Sequence, residues 1–556
     1  MISRLWRYRL LAIALCCAAC GTNDALHGRI RASSADLALA RGSDSVTREQ
    51  LGMLRLMFDD LGGLRVDGSA LPWKVLVAAM AIDRSSARHT PVSRAEVAAA
   101  FSEFGFLFPD SVMNAPIRSP ARIGGHPIGI VTGFADYRLP RVRLEIANIT
   151  CAMCHVGVAY DSLGRPTHGA WAGMANTSID VDAWSKSVYR GLKLACGRRD
   201  VLLATIDTLF PDIDASERRT IEKFVVPALE RRVNEVAAGI DVAIPYTTGG
   251  PGQGNPIASM RFHLGMIPKD SVLHATGFSS IPDFSNRHLR NVLLYDGGYV
   301  IPGRRRDARF TPDSATDEHL LELARIASVF SVSVMGVPIR EAPRNIGALD
   351  DVMHFIRAYR PPAFPGRIDR ALADSGEREY AARCSSCHGT MSRDEDRPRL
   401  ISLPNRLLPV SVIGTDPRRA AEADSSIAAA VRAGYSRFAS IDSTGAYVAP
   451  PLSGIWATAP YLHNGSVPTL WHLMHPGERP SRFYVGGHAL DLERVGIAGE
   501  VDDEGTLRYP RDYRPWSTPM LYDTSEPGRS NRGHESMFAG MSEAEKRALL
   551  EYLKRL

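Results

Sequence analysis

The spacing of apolar and polar positions along this chain is mainly helical. Periodic apolar spacing begins near Thr47. Ser93-Arg-Ala-Glu96 has the form of a capping box, in which serine and glutamate each satisfy an orphan backbone donor, and it predicts a short amphipathic helix through Phe104. Over 350–359, Val352, Phe355, Ile356 and Tyr359 fall on one helical face, and Pro361-Pro362 stops the run. Another helix is expected through 377–382. At the end of the chain, Ser542-Glu-Ala-Glu545 caps a helix whose apolar stripe is Leu549, Tyr552, Leu553 and Leu556. Strand signals are sparse, with Tyr299-Val-Ile and Ala446-Tyr-Val as two short candidates. The expected class is mainly α, with long loops and few short strands. Pro361-Pro-Ala-Phe-Pro365 reads as a stiff, extended connector and sets the expected boundary between halves spanning 47–360 and 361–556.

Composition removes some function classes. With 45% hydrophobic and 23% charged residues over 556 positions, the chain is ordinary globular protein, long enough for two cores. Arg4, Arg7 and Arg9 precede an uncharged apolar run from Leu10 to Ala19 that is too short to span a bilayer, so residues 1–20 read as an export signal. Ala18-Ala19-Cys20-Gly21 has the small-small-Cys form of a bacterial lipoprotein cleavage site, although Cys17 stands where leucine is usual. Cys20 would then carry the lipid, and the small and polar residues 21–46 would tether the body to the membrane. The expected location is periplasmic, with membrane contact only through that anchor, since no later segment is an uninterrupted apolar run of spanning length. Removing the three leader arginines from 66 basic side chains leaves 63 against 61 acidic ones, close to neutral, and no basic cluster points to nucleic acid.

The cysteines bring in chemistry. Of eight, Cys16, Cys17 and Cys20 lie in the leader, and four form Cys151-Ala-Met-Cys154-His155 and Cys384-Ser-Ser-Cys387-His388. That spacing is what a covalently attached c-type haem needs: two thiols add across the porphyrin vinyl groups, and the next histidine ligates the iron. A thioredoxin-like pair does not need the trailing histidine, and zinc would have to join motifs from opposite halves of the chain. The expected cofactors are therefore two covalently bound haem c groups. Cys151, Cys154, Cys384 and Cys387 attach them, and His155 and His388 are the proximal iron ligands. Cys196, in Leu194-Ala-Cys-Gly-Arg198, reads as a buried small apolar residue.

From Pro361 onward the chain resembles the di-haem c-type cytochrome proteins that include the bacterial rubber oxygenases, distant relatives of the di-haem cytochrome c peroxidases and of the methylamine-utilisation di-haem enzyme. The matching residues are Pro361-Pro362, the motif Cys384–Gly389, the run from Pro450 through Tyr461-Leu-His-Asn-Gly465 to Leu470, and Ser530-Asn-Arg-Gly-His-Glu535. The N-terminal half resembles the family more loosely, through its own motif, the loop Thr247–Asn255 and the stretch Leu289–Gly297. That glycine-rich loop has no lysine or helix start after it, so a tight turn, or backbone passing close to a haem face, is expected in place of nucleotide binding. The resemblance implies two cytochrome c-like haem domains, a reactive first haem with an open or apolar distal face, and a second haem that relays electrons.

The sixth iron ligands decide function, because a filled site gives an electron carrier and an open one admits oxygen or peroxide. For the second haem the resemblance assigns the distal position to His534, with Met474 or His475 as alternatives, and with His463 a further candidate that reads more readily as a packing residue. Met391 is too close to its own motif to cross the ring. For the first haem no ligand stands out among His126, His168, His263 and His274, and Met260-Arg-Phe-His-Leu264 is a candidate for the apolar face. No catalytic acid or base is identified. Trp171, Trp184, Trp456 and Trp471 could lie between haems, although packing is the commoner role of such rings. The expected function is a di-haem oxidoreductase taking a small-molecule oxidant or substrate and a small redox protein as electron partner. The alternative is a non-catalytic cytochrome with both irons six-coordinate.

Overall fold

A computed structural model describes residues 31–32, 46–59, 61, 71–109, 111–114, 126–134, 143–235, 244–268, 271–393, 395–435 and 438–556. The export signal expected over 1–20 and most of the tether lie outside the described residues. Among those described, no helix is long and apolar enough to cross a membrane.

The architecture is mostly helical with small sheets. The helices that matter here are α1 (Arg48–Phe58), α2 (Trp73–Arg88), α3 (Arg94–Glu103), α4 (Val181–Ala195), α5 (Pro256–His263), α6 (Ile346–Ala358), α7 (Arg370–Arg383) and α8 (Glu543–Arg555). Local capping explains several ends. Thr47 forms a full capping box with Gln50 at the start of α1, and Ser542 and Glu545 exchange both bonds at the start of α8. At α3 only half the expected box forms: Ser93 accepts from the Glu96 amide, but the Glu96 carboxylate turns to Arg84 at 2.7 Å. A guanidinium partner is the stronger competitor for a carboxylate.

Strands are more numerous than the sequence pattern implies. Eight small sheets form among the described residues, from strands of two to five residues. Elements this short carry no readable alternation. Tyr299–Val300 and Ala446–Val448 are among them, as expected. The strands that position a motif are β1 (Ile130–Phe134) and β2 (Glu145–Ile149), which pair antiparallel. Two residues beyond β2 the chain reaches Cys151.

Among the described residues, three large apolar clusters make up most of the interior. The first is built on α2, α3 and α4, with Trp73, Phe101, Phe106 and Trp184. The second packs α1 against α6, where Arg55 reaches Asp351 at 2.7 Å. The third packs α7 against α8 and includes Tyr380, Trp456 and Tyr552. Met174, Leu289 and Ala315, from before the proline connector, also belong to this third cluster. The connector itself is bonded in place: the Pro361 carbonyl accepts from Arg397 and the Pro362 carbonyl from the Trp456 indole.

Candidate functional site

Helix α7 leads straight into the second motif. Cys384 ends the helix, and Ser385–His388 makes one further turn. Gly389, at φ +98°, breaks that turn in a conformation side chains disfavour, and its carbonyl accepts from the buried Tyr380 hydroxyl at 2.9 Å. His388 is left with Nδ1 2.8 Å from the Pro450 carbonyl. This bond holds the proton on Nδ1 and leaves the Nε2 lone pair for a metal. Burial pushes the imidazole pKa down, which favours the same neutral form.

His534 faces His388 with ring centroids 6.3 Å apart and planes 26° from parallel. An iron midway between two imidazoles, each bonded at about 2 Å with its nitrogen about 1 Å from the ring centre, puts the centroids roughly 6 Å apart. The pair therefore fits a metal held from both faces. His534 sits in the left-handed region at φ +69°, a conformation a non-glycine residue keeps only where its surroundings impose it. Its amide donates to the Ile413 carbonyl at 3.0 Å, and burial lowers its side-chain pKa to about 4. Cys384 and Cys387 line the same cavity, whose remaining wall is largely apolar, with Leu408, Ile413, Leu470, Leu473 and Phe538. Two thiols, two facing imidazoles and an apolar slot between them fit a covalently attached haem.

At the first motif, Ala152–His155 forms one turn of helix after β2. His155 Nδ1 lies 3.1 Å from the Pro282 carbonyl, the same arrangement as at His388. Burial brings its pKa down to about 3, and Phe284 lies flat on the ring at 4.0 Å, fixing its rotation. Burial pushes the thiols of Cys151, Cys154 and Cys384 up to about 12, so all three are neutral in this fold. The motif turn is wedged between two cores, with Met153 and Cys154 in the first apolar cluster and Ala152 and Cys151 in the second.

One segment belongs to both sites. Ser280, Pro282, Asp283 and Ser285 line the second cavity, while the Pro282 carbonyl holds His155. The segment is stitched to the C-terminal half by the Ser280 amide on the His463 carbonyl at 2.7 Å and by Asn286 on Ser453 at 2.8 Å. The glycine-rich loop supports it from behind: Gln253 and Gly254 pair with Ser280 and Ser279.

The other candidates fall as follows. Met474 lines the second cavity. His475 is turned away from it, with Nδ1 2.8 Å from the Trp471 carbonyl and Nε2 3.0 Å from Glu543. His463 lines the cavity with both nitrogens engaged, at 3.0 Å to Tyr447 and 3.4 Å to Thr415. Met391 is buried in the third cluster. His126 packs on Trp73, His168 lies between Trp171 and Trp456, and His274 is exposed. Met260, on α5, shares the second cluster with Ala152 and Val156. Trp184 lies in the first cluster, and Trp471 stacks on His475. Cys196 is half-buried rather than buried, at the end of α4, with its sulfur 3.6 Å from Asn234. Pro282, Asp283 and Phe284 carry no motif, and their roles arise from where the chain folds back.

Residues 446–484 match a protein-family model described as RoxA-like, cytochrome c-like. That stretch supplies Tyr447, Pro450, Tyr461, His463 and Met474 to the wall of the second cavity. Two uncharacterised proteins of Sinorhizobium fredii (strain NBRC 101917 / NGR234) are similar in sequence. Protein y4iJ is 30% identical over 262 residues, covering 35% of this chain and 41% of its own length. Protein y4iM is 30% identical over 230 residues, covering 36% of this chain and 49% of its own length. The chain thus spans less than half the length of these curated relatives. The match lies on the cavity wall that holds His388, and this similarity to a RoxA-like, cytochrome c-like family supports a covalently bound haem c.

Proposed function

We propose that this protein is a periplasmic di-haem c-type cytochrome oxidoreductase. In this reading His388 and His534 would both hold the second iron, leaving it an electron relay, and His155 would hold a first iron that supplies peroxide or dioxygen chemistry. The observation that carries the reading is the shared wall: Pro282 bonds to His155 through its carbonyl and lines the second cavity itself. Electrons would then have a path of covalent bonds and one hydrogen bond from His155 to the wall of the second cavity. A haem iron with a free sixth position supplies redox chemistry toward a small oxidant or substrate. The protein's part is to hold neutral imidazoles in place, to keep bulk water from the first motif and to offer the second to a partner.

That partner is a small redox protein docking where the second attachment turn reaches solvent. Ser386 is exposed there, and an Arg406 nitrogen lies 3.9 Å from the Cys387 sulfur, suited to a carrier with an acidic face. Export through residues 1–20 and a lipid on Cys20 complete the proposed setting.

The closed His388–His534 pair would equally suit an electron carrier in which both irons are six-coordinate, so the test must separate the two. Protein matured in a host competent for c-type haem attachment is weighed intact, then reduced and titrated with carbon monoxide. Two haem masses per chain, with one haem shifted by carbon monoxide, are expected. Two haems with no shift would replace the enzyme by the carrier. A single haem mass would sink the di-haem reading.

A further inference from the structure

The wall between the two motifs is held by a buried carboxylate that no cofactor-attachment motif accounts for. Asp283 is 5% exposed, and its side chain accepts from the Ser285 amide at 2.7 Å, from the Ser285 hydroxyl, and from the Tyr359 hydroxyl at 2.9 Å. Burying a carboxylate is costly unless such donors compensate, so the three bonds together select one conformation of residues 282–285. In that conformation the Pro282 carbonyl points at His155 and the Phe284 ring lies on the same imidazole. The loop after the first motif closes the arrangement. The Phe284 amide donates to the Gly173 carbonyl at 2.9 Å, and the Gly173 amide donates to the His155 carbonyl at 2.8 Å. Gly173 has φ +94°, and a Cβ there would come within 2.7 Å of the Tyr359 ring. Tyr359 ends α6, so the fold places this latch at the point where the N-terminal half hands over to the proline connector.

We infer that Asp283 and Tyr359 are positioning residues that set the strength of the Pro282–His155 hydrogen bond, and through it the reduction potential of the first iron more than that of the second. This rests on the proposed haem at His155. The reason is that a hydrogen bond from the far nitrogen of a ligating imidazole makes the ring a stronger electron donor, which favours the oxidised metal. Loosening the acceptor therefore raises the potential of that site. The second proximal histidine has its own acceptor, Pro450, in a different part of the chain, so the latch meets that site only where Asp283 and Ser285 line its cavity.

The test is a spectroelectrochemical titration of the full-length holoprotein against its Tyr359→Phe variant, which loses one hydroxyl and keeps the ring packed on Gly173. The expected result is a positive shift of the first-haem potential of up to about tenfold in the oxidised-to-reduced ratio, equivalent to 59 mV for one electron. The second-haem potential shifts by less, since His388 keeps its Pro450 acceptor. Ser285→Ala should likewise shift the first haem more than the second, by less than Tyr359→Phe does, and it carries the test if Tyr359→Phe does not fold. Equal shifts at both haems, or none in either variant, would overturn the inference, since a purely structural role lowers stability without choosing one site. Failure of the underlying reading would look different: the unsubstituted protein would then lack the haem on Cys151 and Cys154.

Discussion

At the first attachment turn Ala152 is 0% and Met153 3% exposed, whereas at the second Ser386 is open to solvent and Ser385 half-buried. The two motifs have the same three functional residues, and both proximal histidines are held by a proline carbonyl, Pro282 in one case and Pro450 in the other. What differs is the pair of residues between the cysteines and the surroundings they select. Ala-Met joins two apolar clusters, while Ser-Ser lies on a surface turn after α7. A c-type motif therefore fixes how a haem is attached without fixing whether its edge meets water. Under the proposed function, the buried turn would suit a protected reaction site, and the exposed turn exchange of electrons with another protein.

The comparison can be broken most decisively at the histidine facing His388. His534→Ala should raise carbon monoxide binding in the reduced protein from one haem per chain to two, with the first-haem signal unmoved. An unchanged count would assign the closing ligand to Met474, and Met474→Leu would then have to produce the opening. Next in size is Met153→Ser, which should lower stability in chemical denaturation by about 2–4 kcal/mol, because it leaves a cavity and a hydroxyl between two cores.

Smaller effects sharpen the other side. Arg406→Glu should slow reduction by an acidic carrier protein by roughly three- to tenfold at low salt, with the difference fading as ionic strength rises. The same reversal at Arg305, whose side chain is 80% exposed, serves as the control. The smallest change is Ser386→Met, expected within about 0.5 kcal/mol of the parent. If it costs as much as Met153→Ser, the two turns are not in opposite surroundings.

Much of the helical framework was legible because its signals are local. The Ser542–Glu545 box and the stripe ending at Leu556 describe α8 completely within one segment. The Ser93 box was read from the same kind of signal and formed only in part, since Arg84, brought in by α2, takes the Glu96 carboxylate. The short strands were not legible, because pairs such as Gln253–Gly254 with Ser279–Ser280 are made by loops that meet in space. Cys196 misled for a related reason: its apolar neighbours belong to α4, but it follows the last helical residue, where the chain turns outward.

For the site, the sequence by itself determined the two thiol pairs and their adjacent histidines, since that chemistry is written in five consecutive residues each time. It also held, in Ala-Met against Ser-Ser, the difference in polarity that accompanies burial. Tertiary structure alone decided that His534 stands opposite His388 while His475 turns to Glu543. It alone decided that Pro282, without any motif, holds His155 and lines the second cavity, with Asp283 and Tyr359 fixing it there. The physical reason is range. Covalent attachment and helix capping act within a few residues, whereas a facing ligand and a shared wall need segments far apart in the chain to be packed together by three cores.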